Sequence, residues 1–66
     1  MSKLKEFRNH LNMSQEKFSL LLQIHRRTYA CYEIQTRFPK AFNREKILKV
    51  AKEYNFPLHE EDLLRK

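Results

Sequence analysis

The stretch Ser14–Glu33, SQEKFSLLLQIHRRTYACYE, decides the fold. It reads as two short helices joined by a tight turn. The first spans about Gln15 to Leu22. Ser14 precedes it as an N-cap, its hydroxyl able to accept from the free amides of the first turn. Glu16 in that turn suits the positive end of the helix dipole. Phe18, Leu21 and Leu22 fall at i, i+3, i+4 and form one apolar stripe. Gln23-Ile24-His25 is the turn. The second helix spans about Arg26 to Glu33, with Tyr29 and Tyr32 three apart and facing inward. Arg26, Arg27, Ala30 and Cys31 are left on the outer side, so two fixed cations stand in the first turn of an exposed helix. Cations there oppose the dipole. Either the surface is merely basic and solvated, or these arginines are aimed at an anion such as DNA.

Outward from this pair, the N-terminal side predicts a helix over Lys3 to Leu11, with Leu4, Phe7 and Leu11 on one face and Lys5 and Arg8 away from it. Asn12-Met13 breaks the stripe before Ser14. On the C-terminal side, Ile34 to Lys40 is a connection in which Pro39 keeps Phe38 out of helical geometry. Thr36, Arg37 and Lys40 are donors suited to phosphate oxygens. Asn43 is placed to cap a fourth helix, about Arg44 to Tyr54. Its buried stripe is Ile47, Val50, Ala51 and Tyr54, and its wet side Arg44, Lys46, Lys49 and Lys52. Phe56-Pro57-Leu58 is a turn that still carries apolar surface. A short fifth helix, about His59 to Leu64, has its acids in the first turn and Arg65-Lys66 at its end, in agreement with the dipole. No stretch alternates with period two long enough for a strand. The expected architecture is all-α, a compact bundle of about five short helices in a single domain over residues 1–66.

The composition narrows the class. Sixty-six residues, 41% of them apolar, allow one small core and no deep substrate pocket. One cysteine excludes an internal disulfide and fits a reducing, cytoplasmic setting. There is no apolar run of membrane-spanning length and no apolar signal-peptide core. The net charge is +6, and it is unevenly spread: residues 1–52 hold 12 Lys or Arg against 4 Glu, residues 53–66 hold 2 against 4 acids. A small basic domain of pI near 9.8 points to nucleic acid. The competing polyanion, a membrane surface, would want a long basic amphipathic helix that this chain lacks.

Ser14-Gln15-Glu16, the apolar positions Phe18, Leu22 and Ile24, the run Arg26-Arg27-Thr28, then Tyr32-Glu33 and Pro39 six residues on, together resemble the Cro and lambda-repressor (XRE-type) helix-turn-helix family. The resemblance covers nearly the whole chain: Leu4 and Arg8 match the first helix, and Leu48 through Ala51 to Tyr54, with Phe56 and Leu58, the fourth. It implies a lambda-repressor-like DNA-binding domain. It also implies that Gln15 anchors the second helix to a phosphate, that Arg26 and Arg27 read base edges in the major groove, and that Thr28, Ala30 and Cys31 face the groove or its phosphate wall. Ala30 and Cys31 are assigned to bases, Thr28 to phosphate, and Glu33 inherits a structural role. The chain departs from the pattern in having no glycine. Gln23 and Gln35 stand at usual glycine positions, and a left-handed Gln23 costs about 1 kcal/mol, so that turn is either strained or differently shaped. Ser19 replaces a usual Ala where the two helices touch. Tyr29 replaces Val or Ile and needs a hydroxyl partner or solvent.

The expected function is a sequence-specific double-stranded DNA-binding regulator, a Cro-type phage or prophage repressor acting as a homodimer on a palindromic operator. The base contacts would be Arg26, Arg27, Ala30 and Cys31. The phosphate contacts would be Gln15, His25, Thr28, Thr36, Arg37 and Lys40. Dimer contact is assigned to Phe56, Leu58, Leu63 and Leu64, read as more apolar than so small a domain can bury. Two alternatives stay open: an antitoxin or restriction-modification controller of the same fold, which a neighbouring toxin would reveal, and a protein-interaction module, which an acidic third helix would have favoured. His10, His25, His59 and Cys31 have no metal-ligand spacing. There is no nucleophile–base pair and no phosphate loop. Neither an enzyme, nor a metal, nor a cofactor, nor a small-molecule effector is expected. Cys31 is either a small filler or a thiol whose oxidation would collide with the groove.

Overall fold

Serine hydroxyls start the first two helices. Ser2 Oγ accepts from Leu4 N and Ser14 Oγ from Lys17 N, each at 3.2 Å. They open α1, Lys3–His10, and α2, Gln15–Leu22. The structure, a computed structural model, describes residues 2–64. It continues with α3, Arg26–Glu33, and α4, Ala41–Glu53, and closes with a 3-10 turn, Glu60–Leu63. Among the described residues there is no strand.

All four α-helices end alike. A left-handed residue follows the last turn: Asn12, Gln23, Gln35 and Asn55, with φ between 55° and 63°. Its amide returns to the carbonyl three residues back, and the next amide to the carbonyl five back. Thus Gln23 N reaches Leu20 O at 3.1 Å and Ile24 N reaches Ser19 O at 3.0 Å. This is the Schellman closure, normally built on glycine. Of the two shapes open to the Gln23 turn, the strained one is adopted.

The helices meet over an aromatic seam. Phe7 packs edge-on against Phe18 at 5.0 Å, Phe18 edge-on against Tyr29 at 5.3 Å, and Phe56 stacks on Phe7 at 4.6 Å. Leu4, Leu22, Ile24 and Tyr32 extend this core across α1 to α3, and Ile47, Val50 and Ala51 close it from α4. Ser19, buried where α2 meets α3, returns its hydroxyl to Glu16 O at 2.8 Å, so the replacement of a usual alanine leaves no polar atom unpaired.

Several expectations are corrected. The first helix stops at His10, with Leu11 as its C-cap. Asn43 does not cap α4. The helix begins three residues before Arg44, Lys40 is its N-cap without a side-chain bond, and Asn43 Nδ2 donates to Tyr32 Oη at 2.9 Å from inside the helix. Tyr54 is not in the buried stripe; it follows the last helical residue and is exposed. Two of the supposedly wet cations are engaged. Arg44 donates from Nη1 to Pro39 O at 3.1 Å and pairs with Glu60 at 3.5 Å. Lys46 donates to Gln23 O at 2.9 Å and lies over the Phe42 ring. The expected fifth helix is a single 3-10 turn, in which His59 N donates to Asp62 Oδ2 at 2.9 Å; its Arg65-Lys66 end lies outside the described residues. The apolar C-terminal side chains are not surplus. Leu58 and Leu63 are buried and Phe56 packs on the core, so of the four only Leu64 faces outward.

Candidate nucleic-acid interface

Glu33 anchors the site from within. Only 4% of its side chain is exposed, and three groups converge on its carboxylate. Arg8 Nε donates to Oε2 at 2.6 Å, Tyr29 Oη donates to the same oxygen at 2.5 Å, and Gln15 Nε2 donates to Oε1 at 2.9 Å. Arg8 also holds Met13 O at 3.0 Å, which ties the link before α2 into the cluster. Burial pushes the Glu33 carboxyl up. The hydrogen bonds from Arg8, Tyr29 and Gln15, with the Arg8 charge, outweigh it and hold the group below its ordinary value. Burial and the neighbouring carboxylate drive the Tyr29 phenol upward, so it stays a protonated donor. The phenol thus finds the partner that its position demands, and one carboxylate links α1, α2 and α3.

This cluster underlies an open groove of about 620 Å³ lined by Arg8, Ser14, Gln15, Glu16, Arg26, Arg27 and Ala30. Four of the residues expected to meet DNA, Gln15, Arg26, Arg27 and Ala30, share this one surface. Gln15 sits between core and groove, with one N–H of its side-chain amide donated to Glu33. His25 is the N-cap of α3: its Nδ1 accepts from Arg27 N at 3.2 Å. Arg26 and Arg27 are both exposed, yet they differ, for Arg26 Nη1 lies 3.8 Å from Glu16 Oε1. Arg37 and Lys40 line a second hollow of about 360 Å³ with Tyr32, Phe38, Phe42 and Asn43. Thr28, half-buried, and His25, Cys31 and Thr36 line neither hollow. Thr36 Oγ1 is turned back to Cys31 O at 3.4 Å.

Arg8 and Glu16 are the groove residues that a sequence reading places elsewhere. Arg8 follows Phe7 on α1 as Lys5 follows Leu4, and nothing local separates the engaged cation from the exposed one. Glu16 carries only a helix-dipole role until the fold lays it beside Arg26. No three His, Cys, Asp or Glu side chains converge among the described residues, and no described helix is long and apolar enough to cross a membrane.

A capped α2, a Schellman turn and a basic, outward-facing α3 whose last residue is locked to α1 define a helix-turn-helix domain. The chain belongs to the helix-turn-helix domain family, of the XRE/Cro-like type, whose model matches residues 2–66. No curated protein and no solved structure matches it.

Proposed function

We infer that this domain is a sequence-specific double-stranded DNA-binding regulator of the Cro type, working by occlusion. The single observation that carries the reading is the groove on which Arg26, Arg27 and Ala30 of α3 meet the start of α2. In that mode α3 enters the major groove led by Arg26 and Arg27, at least one of which reads a base edge, with Ala30 and Cys31 beside them. Phosphates on one side are taken by the first turn of α2 around Gln15 and by His25 and Thr28, and on the other by Thr36, Arg37 and Lys40. Gln15 contributes its backbone amide and the second N–H of Nε2, the first being held by Glu33.

One eight-residue helix covers only a few base pairs, so the regulator acts as a homodimer whose half-sites lie about 34 Å apart on a palindromic operator. Leu64 is the member of the expected dimer set that still faces outward. The direct test is selection of bound duplexes from a random pool. Enrichment of a two-fold symmetric motif supports the regulator; a pool that stays random through successive rounds, with unchanged affinity, overturns it.

A further inference from the structure

Glu16 lies on the outer rim of the groove, on the same surface as the two arginines. It is 69% exposed in its side chain, and its Oε1 is 3.8 Å from Nη1 of Arg26, itself 66% exposed. The pair bridges the first turn of α2 to the first turn of α3 across the helix-helix corner. Among the described residues no carboxylate pairs with Arg27. A carboxylate on a face meant for a polyanion opposes binding by charge alone, so its presence beside one arginine and not the other calls for a role.

We propose that Glu16 is a specificity-determining positioning residue, which holds the Arg26 guanidinium over the base edges and away from the phosphate backbone. The inference rests on the DNA-binding reading above and deepens it. A guanidinium has five N–H donors in a rigid fork. With one terminal nitrogen turned to Glu16, the opposite edge remains for the paired O6 and N7 acceptors of a guanine. An Arg26 released from Glu16 swings to the nearest phosphate instead, which gains affinity that carries no sequence. Glu16 discourages that escape, because leaving Arg26 sets an uncompensated carboxylate among phosphates. Arg26 therefore reads, and Arg27, with no carboxylate to restrain it, grips the backbone.

The experiment uses the full chain, a duplex selected from a random pool, its single-base variants and a random-sequence duplex. Arg26→Ala abolishes preference at one guanine of each half-site, a loss of about 5- to 100-fold in discrimination. Glu16→Gln lowers discrimination at that same position by roughly 2- to 5-fold, as suits an exposed ion pair. It also raises affinity for the random duplex and steepens the salt slope by about one phosphate contact. In an Arg26→Ala background, Glu16→Gln changes discrimination no further. Arg27→Ala weakens all duplexes alike. Glu16→Gln is an exposed, isosteric change, and its folding is checked by an unchanged melting temperature. If Glu16→Gln shifts every duplex by one factor and leaves preference intact while Arg26→Ala relaxes it, Glu16 is only a surface charge and the inference is wrong. If Arg26→Ala and Arg27→Ala both leave preference whole, the DNA-binding reading of α3 fails with it.

Discussion

Single residues divide into those that build the groove and those that meet what enters it. Arg8 and Tyr29 belong to the first group. Arg8→Ala leaves the Glu33 carboxylate buried without its cation, which costs roughly 3 kcal/mol of stability. Tyr29→Phe removes a hydrogen bond to a charged group and costs about 1–2 kcal/mol. Urea titrations of both variants check these values, and losses under 0.5 kcal/mol in each would disprove the anchoring role of Glu33. The same carboxylate gives an acid-side signature. Its folded value is lowered, so its contribution is complete above the unfolded value of about 4.3 and is lost as pH falls from there through the folded value. The stability gap between the native chain and Glu33→Gln should therefore narrow between pH 7 and pH 3; a constant gap contradicts the linkage. Lys40 stands outside the groove and is proposed to meet phosphate from the second hollow. It is exposed there beside Arg37, outside α3. Lys40→Ala is expected to weaken selected and random duplexes by similar factors and to leave base preference unchanged, which competition binding will measure.

The elements owe their ends to backbone closure as much as to side chains. Gln23 and Gln35 occupy left-handed conformations that favour glycine. Gln23→Gly relieves about 1 kcal/mol of backbone strain, partly offset by greater freedom of the unfolded chain. For a domain of this size a net gain of about 0.5 kcal/mol raises the melting temperature by about 2–4 °C. A melt that stays put or falls would show that Lys46, which grips the Gln23 carbonyl, has already absorbed the strain. The helix pair α2–α3 was legible in the sequence to the residue, since a serine cap, a spaced apolar stripe and inward tyrosines all agree. The start of α4 was not. Asn43 has a capping side chain, but Ala41 and Phe42 already follow Pro39 in helical geometry, and Asn43 is drawn to Tyr32 instead. The C-terminal segment misled for a different reason: Leu58 and Leu63 join a core built from residues distant in sequence, which their own short segment does not show. In the site, Arg26, Arg27 and Ala30 follow from helical spacing within one segment, whereas the Arg8–Glu33 and Gln15–Glu33 bonds join positions 25 and 18 residues apart, and no local pattern reports them.

At the scale of the whole molecule, charge and assembly decide behaviour. Residues 1–52 carry an excess of +8, and the chain beyond them is acidic. If about 5 phosphates are neutralised, log K for duplex DNA falls against log salt with a slope of roughly −4 to −5. A flat response between low and physiological salt would remove the electrostatic basis of the function. Sedimentation with a symmetric selected duplex should give two chains per site, and one chain per site would exclude the homodimer. Gln15, Arg8 and Tyr29 converge on Glu33 before any partner arrives, so α2 and α3 present themselves as one rigid body. Docking then immobilises only long outer side chains such as Arg26 and Arg27, at about 0.5–1.5 kcal/mol each. On the proposed function, association is expected to be paced by diffusion and long-range attraction rather than by a folding step, with affinity differences among duplexes expressed as differences in residence time.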